Sequence, residues 1–212
     1  MRNAAAKLCV PGRATQPAPA TPHWHEQVEA TMGTDMLIGH INLASSIYGT
    51  GESFIGLVEA LDRAGMKQHV LVRNATLAKR VDIIGGNVVI GSVVNSPVTA
   101  CCLMPPVDIT HVHEPLAGQA GLLLTLTRAF PYILTHRSTI ALTRSPLLQA
   151  AYRRAAAVIC QDDSEVAMLR HWLPGLAIEI IPDVDRQGSS AAHQQLYQNS
   201  QRMPSAGRRG IQ

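Results

Sequence analysis

The sequence predicts an α/β fold built on a doubly wound, mainly parallel sheet. Three observations predict it. Apolar runs of strand length recur from Met36 to about Arg186. Stretches with apolar residues at helical spacing separate them. A small-residue loop, Ala44–Ser53, with Gly49-Thr50-Gly51 inside it, joins the first strand to the first helix. Strand, glycine loop, helix and strand make a βαβ unit, and its continued alternation argues for a parallel sheet.

Met36–Leu43 reads as a buried strand. Phe54, Leu57, Val58 and Leu61 then recur at helical spacing, and Gly65 is a good stop. His69–Arg73 is a second strand. Asn74–Arg80 is helical or irregular, and Val81–Val94 holds one or two short strands broken by Gly85, Gly86 and Gly91. Ser96–Pro106 is a loop or short helix ended by Pro105-Pro106. Val107–Pro115 is a strand, Leu116–Arg128 an apolar helix, and Pro131–Arg137 another strand. Ser145–Arg154 is a helix, Ala156–Cys160 a buried strand, and Asp162–Glu165 offers N-cap side chains to a helix reaching Trp172. Ala177–Ile181 is the last strand, stopped by Pro182.

The domain is therefore placed at 36–186. Residues 1–35, rich in Ala, Pro and Thr, read as a disordered extension, with Met32 or Met36 a natural start. Residues 187–212 read as a disordered polar tail. The chain of 212 residues is 46% hydrophobic and 16% charged, enough for one good core but tight for two domains. The net charge of +3 does not argue for nucleic acid, because Lys/Arg and Asp/Glu cancel between Met36 and Arg186. Cys9, Cys101, Cys102 and Cys160 lack CxxC spacing, which fits reduced thiols in a cytoplasmic protein. No apolar run reaches transmembrane length, and the start lacks the apolar stretch of a secretory signal.

The chemistry gathers at strand ends. Alternation puts Ile109, His111 and His113 on one face of the third long strand and Thr110, Val112 and Glu114 on the other. An HxH pair can ligate a metal, so a metal-dependent hydrolase using His111 and His113 is one alternative. The chain is short for a hydrolase barrel, however, and no further ligand series follows. Gly49-Thr50-Gly51 can bring backbone N–H groups to an anion. It matches neither the dinucleotide fingerprint, since Phe54 stands at the third glycine position, nor a P-loop. The strand 131–137 ends in His136 and Arg137. In adjacent parallel strands, His113, Glu114, His136 and Arg137 line one crevice.

Together these motifs resemble the N-terminal domain of family 4 glycosyltransferases, which have the GT-B fold. Gly49–Gly51 through Ala64–Val70 matches the glycine loop and the segment leading into the "GHEV" strand. Asp108–His113 matches "D-x-x-H-x-H". The extension His113-Glu114-Pro115 resembles the bacterial phosphatidylinositol mannosyltransferases. Pro131–His136 resembles "p-x-v-x-T-x-H" without the spacer before His. Ala155–Ser164 and Ile180–Asp185 resemble the next strand and the interdomain hinge.

The resemblance implies a Rossmann-like domain, a single GT-B half, in which His136 is catalytic. Gly49, Thr50, Gly51, His113, Glu114 and Arg137 would bind substrate. It implies no cofactor and no metal. The partners would be a sugar or lipid acceptor, and a nucleotide sugar only where a donor domain is supplied, for instance on a separate polypeptide. Peripheral membrane contact, in polysaccharide or glycolipid assembly, follows at family level.

The residues after Arg186 lack the patterning of a donor-binding domain. The expectation is therefore an acceptor-binding half with little turnover alone, because stabilising a departing diphosphate needs groups from both walls of a cleft. The alternative is a non-catalytic remnant of a truncated or frameshifted gene.

Overall fold

The computed structural model describes residues 36–46, 49–137, 145–182 and 186–202. Among them, strands and helices alternate throughout. The order is β1 (Leu37–Asn42), α1 (Thr50–Arg63), β2 (Lys67–Val72), α2 (Ala75–Ile84), β3 (Val88–Val93), α3 (Pro97–Leu103) and β4 (Ile109–His113). It continues with α4 (Pro115–Arg128), β5 (Tyr132–Thr135), α5 (Pro146–Arg154), β6 (Ala157–Cys160), α6 (Asp163–Trp172), β7 (Ile178–Ile180) and α7 (Arg186–Arg202). The seven strands form one sheet in the order β3-β2-β1-β4-β5-β6-β7. Every neighbouring pair is parallel. This is the predicted doubly wound α/β fold.

Strand alternation sorts the core into two layers. Ile41, Val112, Leu134 and Val158 pack with Met104, Leu124, Leu148, Tyr152 and Leu169, so α3 to α6 cover this face. Ile38, Ile109, Ile133 and Ile159 point the other way, onto Leu61 of α1 and Tyr197 of α7. Strands buried on both faces read as continuous apolar runs, which is why β1, β4 and β5 were legible. No described helix is long and apolar enough to cross a membrane.

The helix starts follow capping chemistry. Asn74 Oδ1 accepts from Thr76 N at 2.9 Å and Leu77 N at 3.2 Å. Ser96 Oγ accepts from Thr99 N at 3.1 Å, with Pro97 in the first turn. Asp162 Oδ1 accepts from Glu165 N at 2.9 Å, while Glu165 Oε2 accepts from Gln161 N at 2.7 Å. The acids 162–165 thus act as a reciprocal cap.

Three boundaries differ from the sequence expectation. Helix α1 begins at Thr50 rather than near Phe54. Helix α2 runs to Ile84, because Leu77 and Val81, one turn apart, are both buried. A short β-branched run there was ambiguous by periodicity. Ser96–Pro106, expected as a loop or short helix, contains the short helix α3, in agreement. The largest difference is α7: residues 187–202, expected as disordered tail, continue the helix that begins at Arg186. His193, Tyr197 and Ser200 are buried at i, i+4 and i+7 spacing, so one narrow stripe seats an otherwise polar helix. The expected disorder of 1–35 and 203–212, and the hinge residues Asp183–Asp185, lie outside the described residues.

Two substitutions test this packing. A Cβ on Gly121 would lie 2.5 Å from Cδ2 of the buried Tyr132 ring. Gly121→Ala should therefore destabilise by about 1–3 kcal/mol despite its helix propensity, read as a lowered denaturation midpoint. Tyr197→Ala empties a fully buried site under α7 and should cost about 3–5 kcal/mol. An unchanged melting temperature would mean that α7 does not dock.

Candidate functional site

The order β3-β2-β1-β4-β5-β6-β7 reverses direction between β1 and β4. At such a switch point the loops leaving the two strands run to opposite faces, and open α/β sheets hold ligands in the crevice outside the carboxyl ends there. From β1 the chain reaches Gly49, whose φ of 66° belongs to glycine, and then Thr50 at the start of α1. Gly51 is buried behind them; the Thr50 side chain lies outside the described residues. No side chain caps α1 among the described residues, so its first N–H groups face outward from the helix end.

From β4 the chain reaches Glu114, the cap residue of α4. Its φ is 99°, a conformation costly for a residue with a side chain. The backbone holds it there: Glu114 N donates to Thr135 O at 3.1 Å, and Gly118 N donates to Glu114 O at 3.1 Å. Burial pushes the Glu114 carboxyl up to about 7, while Arg73 and the backbone of Leu43 pull it the other way. Oε1 of Glu114 has no hydrogen-bond partner among the described residues. The side chain is thus poised between charged and neutral at the mouth of the crevice.

Just beneath lies a cluster of histidines. His111 and His113 face α1 and α7, as alternation requires, and His40 of β1 joins them, lying opposite His111 in the strand register. His40 Nδ1 and His113 Nε2 are 3.1 Å apart. His111 Nε2 lies 2.6 Å from Thr135 Oγ1, and His111 Nδ1 lies 2.7 Å from Tyr197 Oη. The rings of His111 and His113 are tilted against each other at 4.0 Å, and Phe54 meets His113 edge-on at 4.7 Å. His193 of α7 completes the group, 5.5 Å from His111 between ring centroids.

Burial holds the three strand histidines in their neutral forms. His40 falls to about 3, through burial and the nearby His193; Gln68 opposes this. His111 and His113 lie well below the usual histidine range, through burial first and then neighbouring imidazoles and Arg137. A hydrolytic metal needs an open coordination position and a path for substrate. His40, His111 and His113 are 0%, 0% and 4% exposed, which argues against the hydrolase alternative.

The four residues expected to line one crevice are divided between faces. His113 pairs in register with Thr135, so His136 is one step out of phase with it. The His136 ring turns to the α5 side, where its Nδ1 lies 2.7 Å from Tyr152 Oη. Burial lowers His136, opposed by Glu165. Its Nε2 is buried without a hydrogen-bond partner among the described residues. Arg137 carries its charge to the His111–His113 side. Sequence reasoning missed His40, Tyr152, His193 and Tyr197. Only the parity of Ile38 and His40 in β1 hinted at His40, and no strand register is visible in a sequence.

No protein-family model matches this chain, and no curated protein matches it. Solved structures do. It is similar to a form of sucrose-phosphate synthase from Thermosynechococcus elongatus, with a TM-score of 0.53 and 17% identity over 77% of this chain and 98% of that one. It is also similar to Anabaena HepE, solved in complex with UDP, with a TM-score of 0.54 and 12% identity over 76% of this chain. The chain spans 50% of HepE. Both are GT-B glycosyltransferases, and at these identities the similarity is one of fold. The chain has the Rossmann-like α/β fold that these glycosyltransferase structures share.

Proposed function

We propose that this chain is the acceptor-binding half of a sugar-transferring enzyme. In this reading a sugar or lipid acceptor enters the crevice between the ends of β1 and β4. The nucleotide-sugar donor is bound by a second domain, on this or another polypeptide. The similarity to the phosphatidylinositol mannosyltransferases at His113-Glu114-Pro115 favours a glycolipid acceptor. HepE was solved with UDP, the leaving-group part of a UDP-sugar, which is the kind of donor this reading assigns to the second domain.

The observation that carries the proposal is Glu114: a strained backbone, a carboxyl at about 7 and an unpartnered Oε1 at the switch point. Strain of this kind collects where a side chain must be held for a ligand. A carboxylate there accepts a hydrogen bond from an acceptor hydroxyl. The uncapped ends of α1 and α4 direct N–H groups and their dipoles toward an anion such as a donor diphosphate. His136 is 0% exposed, so in this reading it acts from behind the crevice wall, its Nδ1 held by Tyr152 and its Nε2 without a partner among the described residues.

Transfer from a nucleotide sugar to candidate acceptors, with a donor-domain polypeptide added, tests the function. His136→Ala should lower that transfer at least about a hundredfold while thermal unfolding shows an intact fold. Transfer at the wild-type rate would remove His136 from the site.

Glu114 gives an independent check. Its folded value, about 7, lies above the ordinary 4.5. Between those pH values the folded chain keeps a proton that the unfolded chain has lost. Stability is therefore complete below about pH 4.5 and falls as pH rises to about 7. Glu114→Gln should remove that fall, with a gain of up to about 3 kcal/mol at pH 8 and little at pH 4. Equal gains at both pH values in urea unfolding would contradict a buried, proton-holding carboxyl.

A further inference from the structure

The histidine cluster is not used by the proposed transfer reaction, and its geometry points elsewhere. One ring nitrogen from each of His40, His111 and His113 lies within 4.8 Å of the others. Tetrahedral zinc, with Zn–N of about 2.0–2.1 Å, sets its ligand nitrogens about 3.3 Å apart. His40 Nδ1 and His113 Nε2, at 3.1 Å, already stand at that spacing. We propose that His40, His111 and His113 supply three ligands to a divalent transition-metal ion of the zinc class in a buried site beneath α7, with a bound water completing the tetrahedron.

Hydrogen bonding alone serves the cluster poorly. A neutral imidazole has one donor and one acceptor nitrogen, so rings packed together pair only as an unbroken chain. The weak link is His40 Nε2, which like Gln68 Oε1 is buried without a hydrogen bond of good geometry, although the Gln68 side chain lies near enough to favour the charged ring. A cation bound on the Nδ1 side makes Nε2 an obligate N–H donor and turns it toward an acceptor such as Gln68 Oε1. His111 is flanked by hydroxyls on both sides, Thr135 Oγ1 at 2.6 Å and Tyr197 Oη at 2.7 Å. Whichever nitrogen takes the ion, the other keeps an orienting partner, as metal-bound histidines require.

The donor set of imidazoles selects zinc, copper, nickel or cobalt over magnesium and calcium. Phe54 and Tyr197 close the site on either side. His193 brings α7 into the same cluster, so the ion would tie α7 to the sheet. This site stands apart from sugar transfer, and either can fail without the other.

The test uses the full chain without a polyhistidine tag, stripped with chelator and then dialysed. Zinc is titrated with stoichiometry read by elemental analysis, and cobalt(II) with its visible absorption as the probe of geometry. The expected result is one equivalent of zinc, tetrahedral cobalt bands and a raised melting temperature. His40→Ala should weaken binding at least about a hundredfold, whereas His171→Ala, at an exposed position on α6, should bind as wild type. A folded wild-type chain that takes up no stoichiometric zinc or cobalt overturns the proposal. So does a folded His40→Ala variant that binds with unchanged affinity. If His40→Ala does not fold, the wild-type titration alone decides.

Discussion

The structure depends on burying three imidazoles in the middle of its sheet. A polar ring removed from water must be neutral and must find partners, or the fold loses several kcal/mol. That requirement fixes much around it. It favours the register in which His40 lies opposite His111 and Asn42 opposite His113, because a slip of one residue would turn the rings into the opposite apolar layer. It gives Thr135 of β5 a role beyond the ladder, as partner of His111. It also gives α7 its seat. A helix with so few apolar residues has little hydrophobic reason to dock, yet Tyr197 reaches a fully buried position and meets His111.

The two faces of the sheet consequently differ in character. The face under α3 to α6 is an ordinary apolar layer, close enough for Gly118 and Gly121 of α4 to lie against Leu134 and Tyr132. The face under α1, α2 and α7 is apolar at its ends and polar at its centre. The crevice at the carboxyl ends of β1 and β4 sits where the two faces meet. Glu114 belongs to that boundary: its amide is held by β5, its carbonyl begins α4, and its carboxyl feels both Arg73 and the Leu43 backbone. The positive φ is the cost of satisfying all of these at one residue.

The division of His113 from His136 bears on how such a site works. Both close their strands, but one ring faces the histidine cluster and the other Tyr152. His136 and the histidine cluster thus lie on opposite faces of the sheet. Arg137 reverses direction again and adds positive charge on the cluster side. That charge reinforces the neutrality of the rings.

The sequence by itself determined the fold class and most of the elements, because strands buried on both faces and helices with an apolar stripe leave periodic traces that need no knowledge of their neighbours. It also placed Glu114, His113 and His136 at strand ends, since Pro115 and the polar residues after Thr135 mark where pairing stops. Register and long-range docking were decided only by the tertiary structure. His40 looked like one polar residue in an apolar strand until β1 and β4 paired. Tyr197 looked like part of a polar tail until His111 offered it a partner. The parity of His113 and His136 depended on how β4 aligns with β5, a choice set by contacts between residues far apart in the chain and written in neither segment alone.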